Sequence, residues 1–468
     1  MNDLKKKKHY QGRRPRKRKP YEKMIPFVVA FIFVLIFSIP LIASRVGNRI
    51  HHSEKTESRQ EEVSDHAQNR PLKSKIDEAQ ELAQEAEQLT LQYDYDGAIE
   101  KLNQALKANP ENPYYPKKIK KYEEEKKQLV AYDGEIYHVF FHQLIVDPTI
   151  TFGEQNSEDI KKQNNDVMTT LDEFNRMLDS FYKKGFILVN YNQLYDVKTD
   201  KNGGKTFVKK ELLLPKGRKP LIISQDDVNF YQKTTLQTGG FGQKYVLDKD
   251  GKVKVTYTDE DGKETVGDYD LLPALETFVQ EHVDFSYQGA KAYIGLTGFD
   301  GVFGYRVQDA NKKSSGFKED VAMVKKIAKE AKKEGFLFAS HSYAHEQGAG
   351  LTVEQIQEDA RNWKKQVGKY VGDTDVYFIP YGNWWNNVGK SMNSADVMAK
   401  LNAVADEGFD FIGGVGCDTF EIQYPKFVFM DRYNLDGFRL YNSKERLKVF
   451  FNADKIWDDR RPGGLGIS

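Results

Sequence analysis

From Tyr132 onward, short apolar runs alternate with amphipathic stretches. The runs are rich in branched and aromatic residues and predict strands, whereas the stretches between them repeat apolar residues at spacings of three and four and predict helices. Because these strand–helix units repeat, we expect an α/β fold with a parallel sheet, closed as a barrel. Strands are predicted at 136–141, 186–189, 220–225, 292–296, 335–340, 376–379, 409–412 and 427–430, and helices at 168–181, 321–334 and 353–370.

Two polar insertions interrupt the repeat. Residues 198–205 (KTDKNGGK) predict a turn between extended segments, and residues 245–268 contain D-K-D-G and D-E-D-G on either side of the alternating run 252–258. Calcium loops are an alternative for these Asp-rich stretches. Their spacing lacks the twelfth-position glutamate of an EF-hand, so hairpin turns are favoured.

The region before the barrel is helical. Residues 74–130 predict a helical hairpin with one tetratricopeptide-like stretch, matched at Tyr93, Ala98, Leu102, Ala105, Leu106 and Pro110. A single repeat cannot bury its apolar faces alone. Two interpretations stay open: a hairpin that serves as a stalk, and a repeat that binds a protein partner. Residues 45–73 are polar, with few apolar positions, and predict a flexible linker.

Charge is concentrated at the N-terminus. Residues 1–24 hold eleven Lys or Arg against two acidic residues and predict a cytoplasmic basic tail. The uncharged segment 25–44 is long enough to span a bilayer, and the positive-inside rule places everything after Arg45 outside the cell membrane. We therefore expect a single-pass signal-anchor. The alternative is a cleaved signal peptide, whose apolar region is normally shorter.

The charge balance argues against a nucleic-acid partner, and the cysteine content excludes disulfides and thiolate metal sites. The 468 residues have a net charge of +1, and outside the basic tail the chain carries 59 basic and 67 acidic residues, so a nucleic-acid partner is not expected. Cys417 is the only cysteine. No internal disulfide can form, and thiolate zinc sites are excluded, so that a metal site must use oxygen and nitrogen ligands.

Polar residues follow two of the predicted strands directly. Asp226 and Asp227 end the run 220–225, and the run 335–340 leads into H-S-Y-A-H, with His341 and His345. A carboxylate and two imidazoles form the ligand set of a catalytic zinc-type site. The spare carboxylate is what a metal-assisted hydrolase needs as its base. The same ligands suit a non-haem iron oxygenase, but the adjacent carboxylate and the i, i+4 histidines favour hydrolysis.

Three motifs resemble the polysaccharide deacetylase family, carbohydrate esterase family four, whose catalytic unit is the NodB homology domain. The family's T-F-D-D-G corresponds to 224–228 (SQDDV), its H-[ST]-x-x-H is matched by 341–345, and its R-x-P-[YF] is matched in part by 378–381 (FIPY). The resemblance covers roughly 135–440, within a catalytic domain expected at 131–468.

This resemblance implies a distorted (β/α) barrel that removes N- or O-acetyl groups from carbohydrate. Asp227, His341 and His345 would hold a divalent metal, with zinc favoured. Asp226 would act as the base, and the backbone N–H of Tyr381 would stabilise the oxyanion. With the anchor, the resemblance implies a deacetylase outside the membrane that acts on peptidoglycan or another N-acetylated polysaccharide.

The sequence departs from the family pattern at several positions. Phe378 replaces the motif arginine, and Arg432, directly after the predicted strand 427–430, is a candidate to replace its charge. The family's final histidine, a general acid, is absent because no histidine follows His345. His142, at the end of the first strand, is the candidate substitute, although it could merely orient its neighbours. These losses keep open a degenerate member that binds glycan without cleaving it.

Further departures flank the motifs. Gln225 and Val228 replace the usual Phe and Gly around the Asp pair. Trp384 and Trp385 follow the third motif. Exposed indoles there would stack on sugar rings, and the alternative is that one of them belongs to the core.

Overall fold

This computed structural model describes residues 63–463. The predicted basic tail (1–24), anchor (25–44) and most of the predicted linker lie outside the described residues. Of the helices described, none combines the length and the apolar character needed to cross a bilayer.

The described chain begins with three helices and continues as a mixture of helices and strands. The helices are α1 Val63–Leu91, α2 Tyr95–Ala108, α3 Tyr114–Lys126, α4 Pro148–Thr151, α5 Glu158–Val167, α6 Leu171–Lys183, α7 Tyr191–Leu194, α8 Leu271–Glu281, α9 Phe317–Lys333, α10 Val353–Trp363, α11 Lys369–Val371, α12 Trp384–Asn387, α13 Ala395–Asp406, α14 Gly437–Asn442, α15 Lys444–Leu447 and α16 Ala453–Ile456. The strands are β1 Val130–Ala131, β2 Tyr137–Phe141, β3 Phe186–Leu188, β4 Tyr195–Thr199, β5 Lys205–Lys209, β6 Leu213–Leu214, β7 Lys219–Gln225, β8 Lys244–Leu247, β9 Val253–Thr258, β10 Glu264–Gly267, β11 Ala292–Leu296, β12 Leu337–Ser340, β13 Val376–Phe378, β14 Phe411–Gly413, β15 Glu421–Gln423, β16 Val428–Met430 and β17 Tyr433–Asn434.

The principal sheet is curled and almost entirely parallel. Its strand order is β15-β16-β14-β13-β12-β11-β7-β2-β17, with β3 paired to β7. Every neighbouring pair from β16 to β17 is parallel, and β15 alone of these strands is antiparallel to its neighbour. Only Asp431 and Arg432 separate β16 from β17, so the chain passes directly from one side of the sheet to the other. The predicted α/β class is confirmed, and the curled sheet fits a distorted barrel.

The central parallel strands of this sheet are buried because most of their residues are apolar on both faces. In β7 every residue from Pro220 to Gln225 is buried. Helix α6 begins with a capping box between Thr170 and Glu173 and ends before Gly185, whose φ of 80° is left-handed. Its apolar stripe packs into the core, as its periodicity predicted, through Phe174, Met177, Leu178 and Phe181.

The helical region before the barrel differs from the prediction in two respects. It contains three helices instead of a hairpin, and α1 begins at Val63, inside the predicted linker. The charged sequence of α3 concealed the two aromatic residues that it buries, and a polar stretch can extend a helix that is already nucleated. The three helices share one apolar cluster: Ala79, Ala83, Ala86, Ala98, Leu102, Ala105, Tyr115 and Tyr122.

Both insertions form hairpins, as predicted. Strands β4 and β5 pair around the first turn, and β8, β9 and β10 form an antiparallel sheet of three strands. In the turns of the second insertion, Gly251 and Gly262 have φ of 76°. Asp248 and Asp259 each accept two backbone N–H groups through Oδ1. These carboxylates therefore stabilise the turns.

Candidate active site

A cleft opens at the face where the parallel strands end, and its volume is about 1030 Å³. Of the seven side chains singled out in the sequence, six line it: His142, Asp226, Asp227, His341, His345 and Tyr381. The seventh, Arg432, lies behind the wall of the cleft, between β16 and β17, with no exposed surface. The structure therefore brings all seven together.

Asp227, His341 and His345 form a cluster with the composition of a metal site. One ligand atom from each lies within 4.8 Å of the others. Oδ1 of Asp227 is 3.3 Å from Nε2 of His345 and 3.8 Å from Nε2 of His341. Two imidazoles and a carboxylate leave a catalytic metal open to water and substrate. This donor set fits a divalent metal of the zinc type.

His341 is held in the tautomer that a metal ligand needs. Its Nδ1 lies 3.1 Å from the carbonyl of Phe378, so Nδ1 carries the proton and Nε2 is left with its lone pair toward Asp227. Burial lowers the pKa of His341, and the charges of Asp226 and Asp227 only partly offset this effect. The imidazole is therefore neutral at pH 7, as metal binding requires.

Several cleft residues have left-handed backbone. The φ angles are 61° at Asp227, 61° at Ser342, 53° at His345 and 58° at Tyr381. Such angles cost residues other than glycine about 1 kcal/mol or more and cluster at functional sites. In the H-S-Y-A-H loop, the Ser342 hydroxyl accepts the His345 N–H at 3.0 Å, and the Asp359 carboxylate accepts two further N–H groups at 2.7 Å each. These bonds hold the bend that turns both imidazoles toward Asp227.

Tyr231 orients the carboxylate of Asp227. Its hydroxyl donates to Asp227 Oδ1 at 2.7 Å and lies 3.1 Å from the hydroxyl of Thr297. Burial and the charge of Asp227 raise the pKa of Tyr231 well above its usual value, so the hydroxyl remains a donor. Burial also opposes ionisation of Asp227, but His345 and His341 outweigh it and lower the pKa of that carboxyl.

Asp226 and Arg432 form a bidentate ion pair. Nη1 and Nη2 of Arg432 donate to Oδ1 and Oδ2 of Asp226, each at 2.9 Å. Asp226 is 1% exposed, and burial raises its pKa. The charges of Arg432 and His341 outweigh burial and bring the pKa of Asp226 to about 2. The pairing of Arg432 with the predicted base is thus present, and the base is ionised at neutral pH.

The surroundings of Arg432 explain why Phe378 can occupy the motif position of an arginine. The guanidinium lies 4.1 Å from the ring centroid of Phe378 and 4.3 Å from that of Phe140. Its Nε donates to the carbonyl of Gly414 at 3.0 Å. A Cβ at Gly413 would lie 2.6 Å from the Phe378 ring and 3.1 Å from the Arg432 stem, so glycine leaves room for both. Phe378, which occupies the position of the motif arginine, therefore packs on Arg432, which supplies the positive charge of that arginine.

A buried hydrogen-bond chain continues behind this pair. Arg432 Nη1 also donates to the Ser224 hydroxyl at 3.2 Å, and Ser224 lies 2.8 Å from Nε2 of His138. The other ring nitrogen of His138 lies 3.0 Å from the hydroxyl of Tyr191. Burial and the charge of Arg432 lower the pKa of His138 well below its usual value. His138 is therefore neutral and links β2 to the strand that carries the Asp pair.

Gln225, which replaces the usual motif Phe, has polar partners of its own. Its Nε2 donates to Asp270 Oδ1 at 2.7 Å, and Tyr245 donates to the other carboxylate oxygen at 3.0 Å. Burial raises the pKa of Asp270 to about 6. Tyr245 begins the second insertion, so this network ties the insertion to the end of β7. The replacement of Phe is thus matched by the Asp270 carboxylate, which lies just after the insertion at the start of α8.

His142 lies at the end of β2 and is half-buried. It is close enough to Asp226 and Asp227 for its charge to lower the pKa of both. Asp436 lines the same cleft, and burial raises its pKa against the opposing effects of the Arg439 N–H, Asn434 and His142. A general-acid role for His142 stays a prediction.

The prediction that Trp384 and Trp385 stack on sugar is wrong, because both indoles are buried. Trp384 is 1% exposed and Trp385 is 6% exposed. The short helix α12 turns them inward, where Trp384 lies against Gly348 and Trp385 lies 5.5 Å from the ring of Phe429. The exposed aromatic residue of this loop is Tyr381, at 57%.

The sequence reasoning missed several residues that support the site. Two of them could have been found from their positions in the sequence. Tyr231 lies shortly after the Asp pair, and Asp436 lies just after the last strand. Nothing in the motifs indicated the partners that come from elsewhere in the chain. The missed residues are His138, Tyr231, Asp270, Asp359 and Asp436.

Comparisons with known proteins bear on the family. No curated protein matches the chain. A protein of Bacillus anthracis, BA0330, proposed to be a polysaccharide deacetylase, is a structural neighbour with 11% identity, a TM-score of 0.33, and coverage of 65% of this chain and 66% of that one. The deacetylase PplD of Streptococcus pyogenes, determined with acetate, has 12% identity, a TM-score of 0.33, and coverage of 65% and 94%. This chain thus spans 66% of the length of BA0330.

The sequence model of the family described as "Polysaccharide deacetylase" matches residues 303–399. That segment contains H-S-Y-A-H and Pro380-Tyr381, two of the three motifs that carried the resemblance. The family predicted from the motifs is therefore confirmed for this segment: residues 303–399 carry the sequence pattern of the polysaccharide deacetylase family.

Proposed function

We propose that the protein is a metal-dependent deacetylase that removes acetyl groups from the N-acetylated sugars of a polysaccharide. The observation that carries the proposal is the Asp227–His341–His345 cluster beside the buried Asp226–Arg432 pair, in one cleft. The cluster supplies the ligands, and the neighbouring carboxylate supplies the base. Membership of the family supports hydrolysis of carbohydrate amides.

Asp227, His341 and His345 would hold the metal, with zinc favoured by the two nitrogens and one oxygen. A divalent cation held there supplies Lewis acidity, which polarises the acetyl carbonyl and makes a water acidic enough to ionise near neutral pH. Tyr231 fixes Asp227 by its hydrogen bond, and the carbonyl of Phe378 fixes His341.

Asp226 accepts the proton of the attacking water. It is ionised because Arg432 holds its pKa at about 2, and both of its oxygens are held by that guanidinium. We assign the backbone N–H of Tyr381 to the developing oxyanion, because Tyr381 lines the cleft beside His345, with ring centroids 4.6 Å apart. His142 donates a proton to the departing amine from the end of β2.

We place this activity outside the cell membrane, with the chain anchored by residues 25–44 and the N-terminus in the cytoplasm. Peptidoglycan or another N-acetylated surface polysaccharide is then the substrate within reach. The helices α1–α3 would act as a spacer, and a protein partner for them remains a second interpretation.

The test uses the full-length protein, loaded with Zn²⁺ and dialysed. We expect about one bound equivalent of metal and release of acetate from N-acetylated chitooligosaccharides. His345→Ala should lose both, whereas His282→Ala, which changes a histidine that directly follows α8 and lies outside the cleft lining, should lose neither. A parent protein that retains no transition metal would contradict the proposal.

The second candidate is a family member that binds glycan without cleaving it. It is favoured by the absence of any histidine after His345, which leaves His142 as the replacement acid. The loss of the motif arginine no longer favours it, since Arg432 pairs with Asp226. Binding of chitooligosaccharide without acetate release, at full metal occupancy, would establish this candidate.

A further inference from the structure

A line of aromatic rings runs along the cleft through the metal-ligand cluster. Ring centroids are 5.6 Å apart from Phe299 to Tyr231, 6.2 Å from Tyr231 to His345, and 4.6 Å from His345 to Tyr381. All four rings line the cleft. Of the inner two, Tyr231 contacts the cluster through Asp227 and His345 belongs to it. The outer two are exposed, Phe299 at 56% and Tyr381 at 57%.

The loop that presents Phe299 is fixed by polar contacts. Arg306 donates to the carbonyl of Phe230 at 2.7 Å and to that of Asn229 at 3.2 Å. The buried Asn229 side chain donates to the Thr297 carbonyl at 3.0 Å and accepts the Thr297 N–H at 3.2 Å. Thr297 in turn donates through its hydroxyl to the Phe299 carbonyl at 3.1 Å. A loop whose backbone is held before binding loses little conformational entropy when a ligand stacks on the ring that it carries.

Single exposed apolar side chains are common on protein surfaces and need no function. Phe299 differs because it ends a row of rings that passes through the candidate metal ligands, inside the cleft. Polar side chains line the same cleft, among them Lys233, Asp300 and Gln308. An aromatic face with a few polar groups beside it is the arrangement that binds the apolar face of a sugar while its hydroxyl groups are hydrogen-bonded.

Building on the proposed function, we propose that Phe299 is a stacking platform for a sugar of the substrate polymer, on the side of the acetyl-binding position opposite to Tyr381. Phe299 follows β11 and Tyr381 follows β13, and His345, after β12, lies between them in the row. A glycan laid along the row therefore extends past the metal cluster in both directions. The acetyl group removed belongs to an internal sugar of an N-acetylhexosamine chain.

The test measures glycan binding by full-length protein from which metal has been removed with a chelator. The N-acetylated forms of chitotetraose and chitobiose are titrated into the protein in a calorimeter. We expect the parent to bind the tetramer more tightly than the dimer, and Phe299→Ala to weaken tetramer binding about tenfold. Phe299→Trp should restore it. Tyr441→Ala removes an aromatic ring that is 43% exposed but outside the cleft lining, and should bind as the parent does.

Equal tetramer affinity of the parent and Phe299→Ala would overturn the inference, and so would a parent that does not prefer the tetramer. Acetate release by the Zn²⁺-loaded parent, measured alongside, separates this inference from the proposed function. If tetramer binding depends on Phe299 but no acetate is released, the platform stands and the deacetylase activity fails. If acetate is released while Phe299→Ala binds like the parent, the activity stands and the platform fails.

Discussion

Replacement of Arg432 by methionine tests the central electrostatic claim about the site. Methionine is apolar and of similar length, so it would fill the space between the rings of Phe140 and Phe378 without leaving a large cavity. What is lost is the pair of 2.9 Å bonds to Asp226, the charge that balances it, and the hydrogen bonds to Gly414 and Ser224. Breaking one side of a buried ion pair costs about 3–5 kcal/mol, because the remaining charge is left unpaired. We expect Arg432→Met to lower the free energy of unfolding by that amount at pH 7.5.

The pH dependence of stability should change sign. In the parent, Asp226 has a pKa of about 2, below its ordinary value of 3.8. It therefore stabilises the folded protein above pH 3.8, and this contribution is lost as the pH falls from 3.8 through 2. Without Arg432, burial dominates and the pKa of Asp226 should rise above 3.8. The variant should then lose stability as the pH rises from 3.8 through the new pKa.

The assay is guanidinium unfolding of metal-free protein at several pH values, with two controls. The double variant Arg432→Met/Asp226→Asn should recover part of the loss, because no charge remains buried. Arg461→Met breaks another fully buried bidentate pair, with Glu173 at 2.8 and 2.7 Å, remote from the cluster. Arg461→Met should lower the free energy of unfolding by a similar amount but leave the pH dependence of acetate release unchanged. A loss below about 1 kcal/mol for Arg432→Met, at the level of an exposed ion pair, would refute the reasoning.

Three further substitutions test individual roles. Asp226→Asn should keep metal and lose acetate release by about 10²–10⁴-fold, because the base is removed and the ligands remain; hydrolysis at the parent rate would exclude Asp226 as the base. His142→Ala should slow cleavage of N-acetyl amides more than that of acetyl esters with good leaving groups, which need less protonation, and equal losses in the two rate assays would argue against an acid. Tyr231→Phe should weaken zinc affinity about tenfold in a chelator competition, since Asp227 loses its orienting hydrogen bond; unchanged affinity would show that Tyr231 does not support the ligand.

The positions where the strands end could be predicted, because each strand is a short apolar run that is visible in the local sequence. Asp226 and His341 follow such runs, and parallel strands bring their carboxyl ends to one face whatever the sequence distance between them. Helix α6, predicted over 168–181, likewise ends at Lys183, two residues beyond the predicted end. The principal sheet and the cluster therefore followed from short patterns.

Pairings across the barrel were harder to foresee. Arg432 could be named from the sequence only as a candidate, since the pairing depends on how the chain passes from one side of the sheet to the other. His138 and Asp270 appear in the sequence as an ordinary strand residue and a turn residue, and their hydrogen bonds to Ser224 and Gln225 exist only in the folded sheet. The burial of Trp384 has the same origin, because it depends on packing against a distant loop.

The short connection between β16 and β17 ties the chemistry to the completion of folding. Asp226 and Arg432 are separated by 206 positions along the chain, and contacts of such long range form late. In a partly folded domain that lacks residues 428–434, Asp226 would have no counter-charge, so its pKa would be higher and its protonated form, which cannot act as a base, would be favoured. Under the proposed function, Asp226 could therefore act as a base only after β16, Arg432 and β17 have taken their places in the sheet.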